Sequence, residues 1–329
     1  MKKILMTLAL LALAGVTSAA TLKIATVTPE GSQWMSDMRA GADDIKQRTE
    51  GRVQIKFYGG GVMGDDAKVL GKIRIRALQG GAFTPTALAQ IYPNLNLYGL
   101  PLVFRSEAEA LYARSKLDAR LHDGLLQAGF KSFGFASGGF AYLMSNKPVA
   151  RLADLKGQKV WVPEGDMISY SSMEALSLSP VTLPLTDVLT GLQTGLIDIV
   201  GMSPIGALVL QWHTKVKYVT ELPMLYTLGF MAIDVKAWDK ISAADQAIVE
   251  DVMRRMYTRF DEQNLVDNRD ARDALIKSGV KSVPFSVEEY EKIRVVMMES
   301  NRKLGEQGKF SIDLYDEMLG YIEEYRSKE

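Results

Sequence analysis

The chain has 329 residues, of which 39 are basic and 39 acidic, with two histidines and no cysteine. Disulfides, thiolate metal sites and cysteine nucleophiles are thereby ruled out, and a balanced charge without a long basic run argues against a nucleic-acid partner gripped through its phosphates. At ~100–200 residues per domain the length allows two domains with their own cores, and the varied sequence shows no internal repeat or low-complexity segment.

Lys2 and Lys3 precede an almost unbroken apolar run from Ile4 to Ala14, and Thr17-Ser18-Ala19-Ala20 supplies small residues for a signal peptidase. Residues 1–20 are read as an export signal cut after Ala20, which places the mature protein in the periplasm. Loss of Lys2 and Lys3 leaves 37 basic against 39 acidic residues, a net charge of −2. The apolar run is too short to span a bilayer, and no later stretch approaches the roughly 18 uninterrupted apolar residues a membrane helix needs.

Leu22 to Val27 reads as a first strand, followed by a Thr28-Pro29-Glu30-Gly31 turn and Ser32 as helix cap, after which Met35, Met38, Ala42 and Ile45 recur at helical spacing. Val53, Ile55 and Phe57 alternate with polar neighbours in a second strand that Gly59-Gly60-Gly61 breaks. A helix from Asp65 to Leu78, a short strand through Ala82-Phe83-Thr84 and a helical turn before Pro93 complete a β-α-β-α-β opening, the pattern of an α/β sheet.

Ser106 and Glu109 have capping-box spacing, which predicts a helix over 106–128. The Gly- and Phe-rich run from Lys131 to Ser145 is where the chain crosses into a second lobe. There the alternation repeats: strand Val160 to Val162, helix Met167 to Leu178, strand Val181 to Leu183, helix Thr186 to Thr194, strand Ile197 to Gly201. A return segment spans Val216 to Ile233.

Ser242 and Asp245 then open a helix running to Ser278, with Gly279 as its stop. At 1.5 Å per residue it is on the order of 55 Å long. A lobe of ~100 residues, with a radius of gyration near 13 Å, cannot cover such a rod, so the helix is expected to span both lobes. Helices Val287 to Glu306 and Ile312 to Arg326 finish the chain. The fold class is therefore α/β, a two-lobed periplasmic binding protein-like fold. Lobe 1 comprises residues 21–138 plus about 228–258, and lobe 2 about 139–227 plus about 259–329 with the C-terminal helices. Such a cleft closes on a ligand by hinge motion.

Asp154-Leu155-Lys156-Gly157, Lys159-Val160, Pro180, the block Thr186 to Asp198 and Ala237 to Ser242 stand in an order and spacing that resemble the extracytoplasmic solute receptors of tripartite ATP-independent periplasmic (TRAP) transporters, the DctP-like family. The resemblance covers essentially the whole mature chain, and the Thr186 to Asp198 block is its most specific part. It implies a periplasmic receptor that closes on a small organic solute and delivers it to the small and large membrane subunits of a permease, with no cofactor and no insertion of its own into the membrane. It also implies an arginine for a ligand carboxylate on the strand after the Asp-Leu-Lys-Gly turn, and often a second basic residue after a Gly-Phe pair. Here those positions hold Trp161 and Ala141.

An arginine fork offers a carboxylate two charge-assisted hydrogen bonds, whereas tryptophan offers one N–H and a large apolar face. The expectation is accordingly a neutral or largely apolar solute stacked on Trp161. Trp34, Phe83, Thr84, Phe140, Met202, Ser203, Tyr226 and Glu164 are the further candidate ligand-binding residues, with Met202 as an adaptable apolar wall. Packing inside a lobe is the competing reading for Trp161, Trp34, Phe83 and Tyr226. Trp212 and His213 are read as structural, and Asp166 as the cap of the following helix. Pairs such as Asp43-Asp44 and Asp65-Asp66 read as solvated charge. An enzyme finds no Gly-x-Ser-x-Gly elbow, phosphate loop or His-x-x-x-His pair. Competing with a TRAP receptor are a binding protein of an ATP-driven importer, a receptor for an organic acid bound by a different cation, and a scaffold with no ligand.

Overall fold

A computed structural model describes residues 19–328, so the export signal read into residues 1–20 lies outside them but for its last two positions. The first lobe opens with β1 (Ala20–Thr26), α1 (Gln33–Arg48), β2 (Val53–Tyr58), α2 (Asp66–Arg74), β3 (Gly80–Phe83) and α3 (Pro85–Ala89). A 3-10 segment, Pro93–Gly99, leads to α4 (Glu107–Gln127) and β4 (Phe130–Ser132). The expected caps are in place: the Ser32 hydroxyl accepts from the Met35 amide at 3.3 Å and that of Ser106 from the Glu109 amide at 3.2 Å. The Glu109 carboxylate reaches one residue beyond the cap, to the Arg105 amide at 2.8 Å.

The chain enters the second lobe along β5 (Ala136–Ser145) and continues through β6 (Trp161–Pro163), α5 (Met167–Ala175), β7 (Val181–Leu183), α6 (Val188–Thr194), β8 (Ile199–Met202) and α7 (Pro204–Val209). It returns on β9 (Tyr218–Asp234), a single strand of 17 residues that belongs to both lobes, and then forms α8 (Val235–Trp238), α9 (Ala243–Lys277), β10 (Lys281–Val283), α10 (Val287–Glu306) and α11 (Ile312–Arg326).

The main sheet runs β2-β1-β3-β9-β5-β8, with β4 and β10 also paired to β9. The β1 contacts to β2 and β3 are parallel, whereas β9 lies antiparallel to β3 through its end and to β5 through its first part. Pro223 falls where the β5–β9 register shifts around Tyr142, so its missing N–H removes no regular ladder bond. β6 and β7 form a separate parallel pair.

In lobe 1, one face of the sheet buries Leu117, Leu121, Phe230, Met318 and Ile322 under α4 and α11, while the other buries Met38, Ile45, Val53, Phe57, Val252 and Met253 under α1 and α9. Lobe 2 packs Val160, Val162, Met173 and Ile199 with Ile293 and Met297 of α10, and separately Val188, Leu192, Val200 and Trp212 with Leu275 of α9. The 35-residue α9 contributes to cores in both lobes, as its predicted length requires. The last helix differs from expectation: α11 packs on α4 and so belongs with lobe 1, because Leu314, Met318 and Ile322 form an apolar stripe that the lobe 1 sheet and α4 cover. Among the described residues no helix is long and apolar enough to cross a membrane.

Candidate functional site

Residues that follow β2 and β3 approach residues that follow β6 and β7 between the lobes: a methyl group placed on Gly165 would sit 3.9 Å from Gln90 Nε2. Gly61, in the glycine-rich turn after β2, lies so close to lobe 2 that a methyl group placed on it would sit 3.3 Å from Thr186 Cγ2. Ile168 of α5 is buried within the lobe 1 cluster that holds Phe83, Phe140, Tyr226 and Leu228, with Tyr58, Met63 and Tyr142 packed against it. The cleft is therefore closed, walled at its hinge end by the Phe140–Tyr226 pair of β5 and β9, whose rings meet edge to face at 5.7 Å.

On the lobe 1 side Asp65 caps α2, accepting from the Lys68 amide at 2.9 Å, and the Lys68 ammonium returns to the same carboxylate at 2.9 Å. The next residue, Asp66, is half-buried and accepts a hydrogen bond from the Thr84 hydroxyl at the end of β3. Burial, with the Asp65 charge beside it, pushes the Asp66 carboxyl up to about 7, against the effect of that hydrogen bond. From lobe 2, the carboxylates of Asp187 and Glu164 act on Lys68 and, with Asp65 as the main cause, hold its ammonium above the ordinary lysine range. Reading Asp65-Asp66 as solvated charge missed this arrangement. The signal available in the sequence was the pair's position at a helix start directly after a glycine turn, where one carboxylate caps and the next turns inward.

The candidate residues divide into two groups. Phe83, Phe140 and Tyr226 share one buried cluster with Ile168 of lobe 2, while Thr84, directly after β3, and Glu164, directly after β6, are exposed. Met202 is half-buried beside Tyr142, and Ser203 is buried with its hydroxyl accepting from the Gly206 amide at 3.3 Å as the cap of α7. The Tyr226 hydroxyl faces away from solvent toward Arg114, whose guanidinium it meets at 3.3 Å.

Trp161 and Trp34 are each engaged with a neighbouring aromatic ring. Trp161 is 6% exposed, its ring edge-to-face on Trp212 at 5.2 Å and its indole N–H donating to the Leu183 carbonyl at 3.0 Å. Its contacts are those of a packing residue of lobe 2. Trp34 stacks on Phe260 at 6.1 Å and joins α1 to α9. Asp166 caps α5 as expected, accepting from the Ser169 amide at 2.9 Å. Among the described residues no group of histidine and acidic side chains could hold a metal ion.

Comparison with known proteins is consistent with this geometry. The chain is 25% identical over 240 residues to the 2,3-diketo-L-gulonate-binding periplasmic protein YiaO of Escherichia coli, covering 68% of this chain and 71% of that one. Its fold matches a TRAP periplasmic solute-binding protein from Desulfovibrio salexigens with bound orotic acid (TM-score 0.84, 21% identity, 92% of this chain and 99% of that chain). It also matches the sugar acid binding protein DctPAm from Advenella mimigardefordensis in complex with galactonate (TM-score 0.86, 19% identity, 93% and 99% covered). The model of the DctP family, bacterial extracellular solute-binding protein family 7, matches residues 24–307, and the chain belongs to that family of solute receptors.

Proposed function

We propose that the protein is the periplasmic receptor of a TRAP-type secondary transporter, closing on a small hydroxyl-bearing organic solute and handing it to the small and large membrane subunits of the permease. The observation that carries the solute class is the pair Asp66–Thr84, a carboxyl and a hydroxyl held together at the closed cleft with no cation among the described residues bonded to Asp66. The family match over residues 24–307 favours the TRAP assignment over an ATP-driven importer.

Two features favour a solute that is uncharged where it meets lobe 2. The positions implied for basic residues hold Trp161 and Ala141, and the groups at the rim are acidic on balance, with Asp65, Asp66, Glu164 and Asp187 around a Lys68 already bonded to Asp65. A carboxylate enclosed without a cation gives up its hydration for little return, at a cost of several kcal/mol. The large apolar body expected to stack on Trp161 is not part of this proposal, because that indole is committed inside lobe 2.

A second reading has its own support. Structural neighbours hold bound acids, among them orotic acid, galactonate and L-gulonate. In that reading Lys68 leaves Asp65 to hold the carboxylate. Calorimetric titration with D-galacturonate and L-gulonate against D-galactose and L-gulono-lactone separates the two. Binding of the uncharged compounds alone supports the first reading; binding of the acids, lost in Lys68→Ala, replaces it with the second. If no small organic solute of either kind changes the melting temperature, the receptor reading itself fails, since a ligand of the folded state stabilises by RT ln(1 + [L]/Kd).

A further inference from the structure

Among the described residues β5, β9, α9 and the stretch from α10 to α11 pass between the lobes, and a continuous set of polar side chains ties the first three together. In β5 the crossing falls at Ser137–Gly139, where the register with β9 shifts and Gly139 adopts φ 77°. Neither glycine there has room for a side chain: a methyl on Gly138 would lie 2.5 Å from Thr227 Oγ1, and one on Gly139 would lie 2.7 Å from Asn268 Nδ2. The strand is thus clamped between β9 and α9.

On α9, Asn264 and Asn268 sit one turn apart and face this crossing. The Asn264 amide donates to Glu107 Oε1 at 2.5 Å and to the Ser137 hydroxyl at 2.8 Å, and that hydroxyl itself donates to Glu107 Oε1 at 2.7 Å. Glu107 is the first residue of α4, in lobe 1. The Asn268 amide donates toward Asn264 Oδ1 at 2.6 Å and the Gly138 carbonyl at 3.2 Å, while its oxygen accepts from the Ile205 amide of α7 at 3.4 Å. α7 starts directly after Met202–Ser203, the lobe 2 strand end at the cleft.

We propose that Asn268 is a positioning residue for solute binding: with Asn264 it fixes the pivot, joining the first turn of α4 in lobe 1 to the first turn of α7 in lobe 2 through the crossing strand. A carboxamide is suited to this place because it both donates and accepts; aspartate loses the donors and leucine loses both functions. The inference deepens the receptor reading and rests on it only for its consequence, since the pivot can be tested without any solute.

The chain has no cysteine, so cysteines placed at exposed Gln47 on α1 and Gln193 on α6 take up two spin labels, one per lobe. The interlobe distance distribution of the full mature chain is then measured by pulsed electron–electron resonance without added solute, for the parent, Asn268→Leu and Asn268→Asp, with Gln263→Leu on the exposed face of α9 as control. The expected result is a distribution broadened in Asn268→Leu, less so in Asn268→Asp, which keeps the acceptor for Ile205, and unchanged in Gln263→Leu. Distributions identical across all four proteins, or equal broadening by the control, would overturn the assignment. If Asn268→Leu does not fold, broadening in Asn268→Asp alone supports the assignment and its absence refutes it. A parent distribution that ignores D-galacturonate and D-galactose counts against the solute classes proposed above, not against the pivot.

Discussion

Replacing Trp161 separates a packing residue from a cleft wall. The side chain is 6% exposed, contacts Trp212 edge to face and belongs to the cluster of Val188, Leu192, Ile197 and Leu275. Truncation to Ala opens a cavity in lobe 2 and should cost about 3–5 kcal/mol, by analogy with large-to-small core substitutions. Trp161→Phe keeps most of the contact area and removes one of two donors to the Leu183 carbonyl, which keeps the Glu164 amide at 3.1 Å, a loss of about 1 kcal/mol. For a chain of this size each kcal/mol lowers the melting temperature by roughly 2–4 °C, so the phenylalanine variant should melt a few degrees low and the alanine variant roughly 10 °C low. The assay is thermal unfolding by circular dichroism alongside titration of whichever compound stabilises the parent. Affinity of the phenylalanine variant should stay within about threefold of the parent. A melting temperature unchanged in both variants, together with affinity reduced tenfold or more, would show that the indole lines the cleft after all.

Burial and the Asp65 charge hold the Asp66 carboxyl up at about 7 in this structure; for a receptor whose open form gives that carboxyl back to water, closing on an uncharged solute takes up a proton. Affinity should therefore rise as pH falls from 8 to 5, by at most about tenfold per pH unit below 7, and Asp66→Asn should flatten the profile. A solute bearing an ammonium beside Asp66 would reverse the slope. The same sign applies to folding, where stability gained by protonating Asp66 grows as pH falls through 7 and levels off near its ordinary value. Gly80→Ala places a methyl 2.3 Å from the Ala232 carbonyl oxygen in the β3–β9 ladder, and rigid backbone cannot move aside. That variant should lose at least about 2–3 kcal/mol in urea unfolding; an unchanged midpoint would contradict the described pairing.

Much of the architecture was legible because its signals are local. Caps at Ser32, Ser106 and Ser242 set helix starts, and the length of α9 alone required a helix shared by both lobes. What could not be read is where apolar stripes find partners. Leu314, Met318 and Ile322 say only that α11 has a buried face; the choice of α4 as its cover depends on the chain folding back over lobe 1. For the candidate site the sequence supplies position only: Phe83 and Thr84 stand at the end of β3, and Phe140 and Tyr226 where β5 pairs with β9. Trp161 marks the limit, since alternation along a three-residue strand does not tell which side of it meets Trp212. Asp66, Asn264 and Asn268 acquire their roles only from residues far away in sequence.

Native mass spectrometry of the receptor purified from its own periplasm, compared with Asp66→Leu purified in the same way, tests the account most directly. The expected result is a one-to-one adduct of a small hydroxyl-bearing compound on the parent that is lost or strongly depleted in the variant. An adduct retained undiminished by Asp66→Leu, or one that is a hydrocarbon-rich compound without hydroxyl groups, would contradict it.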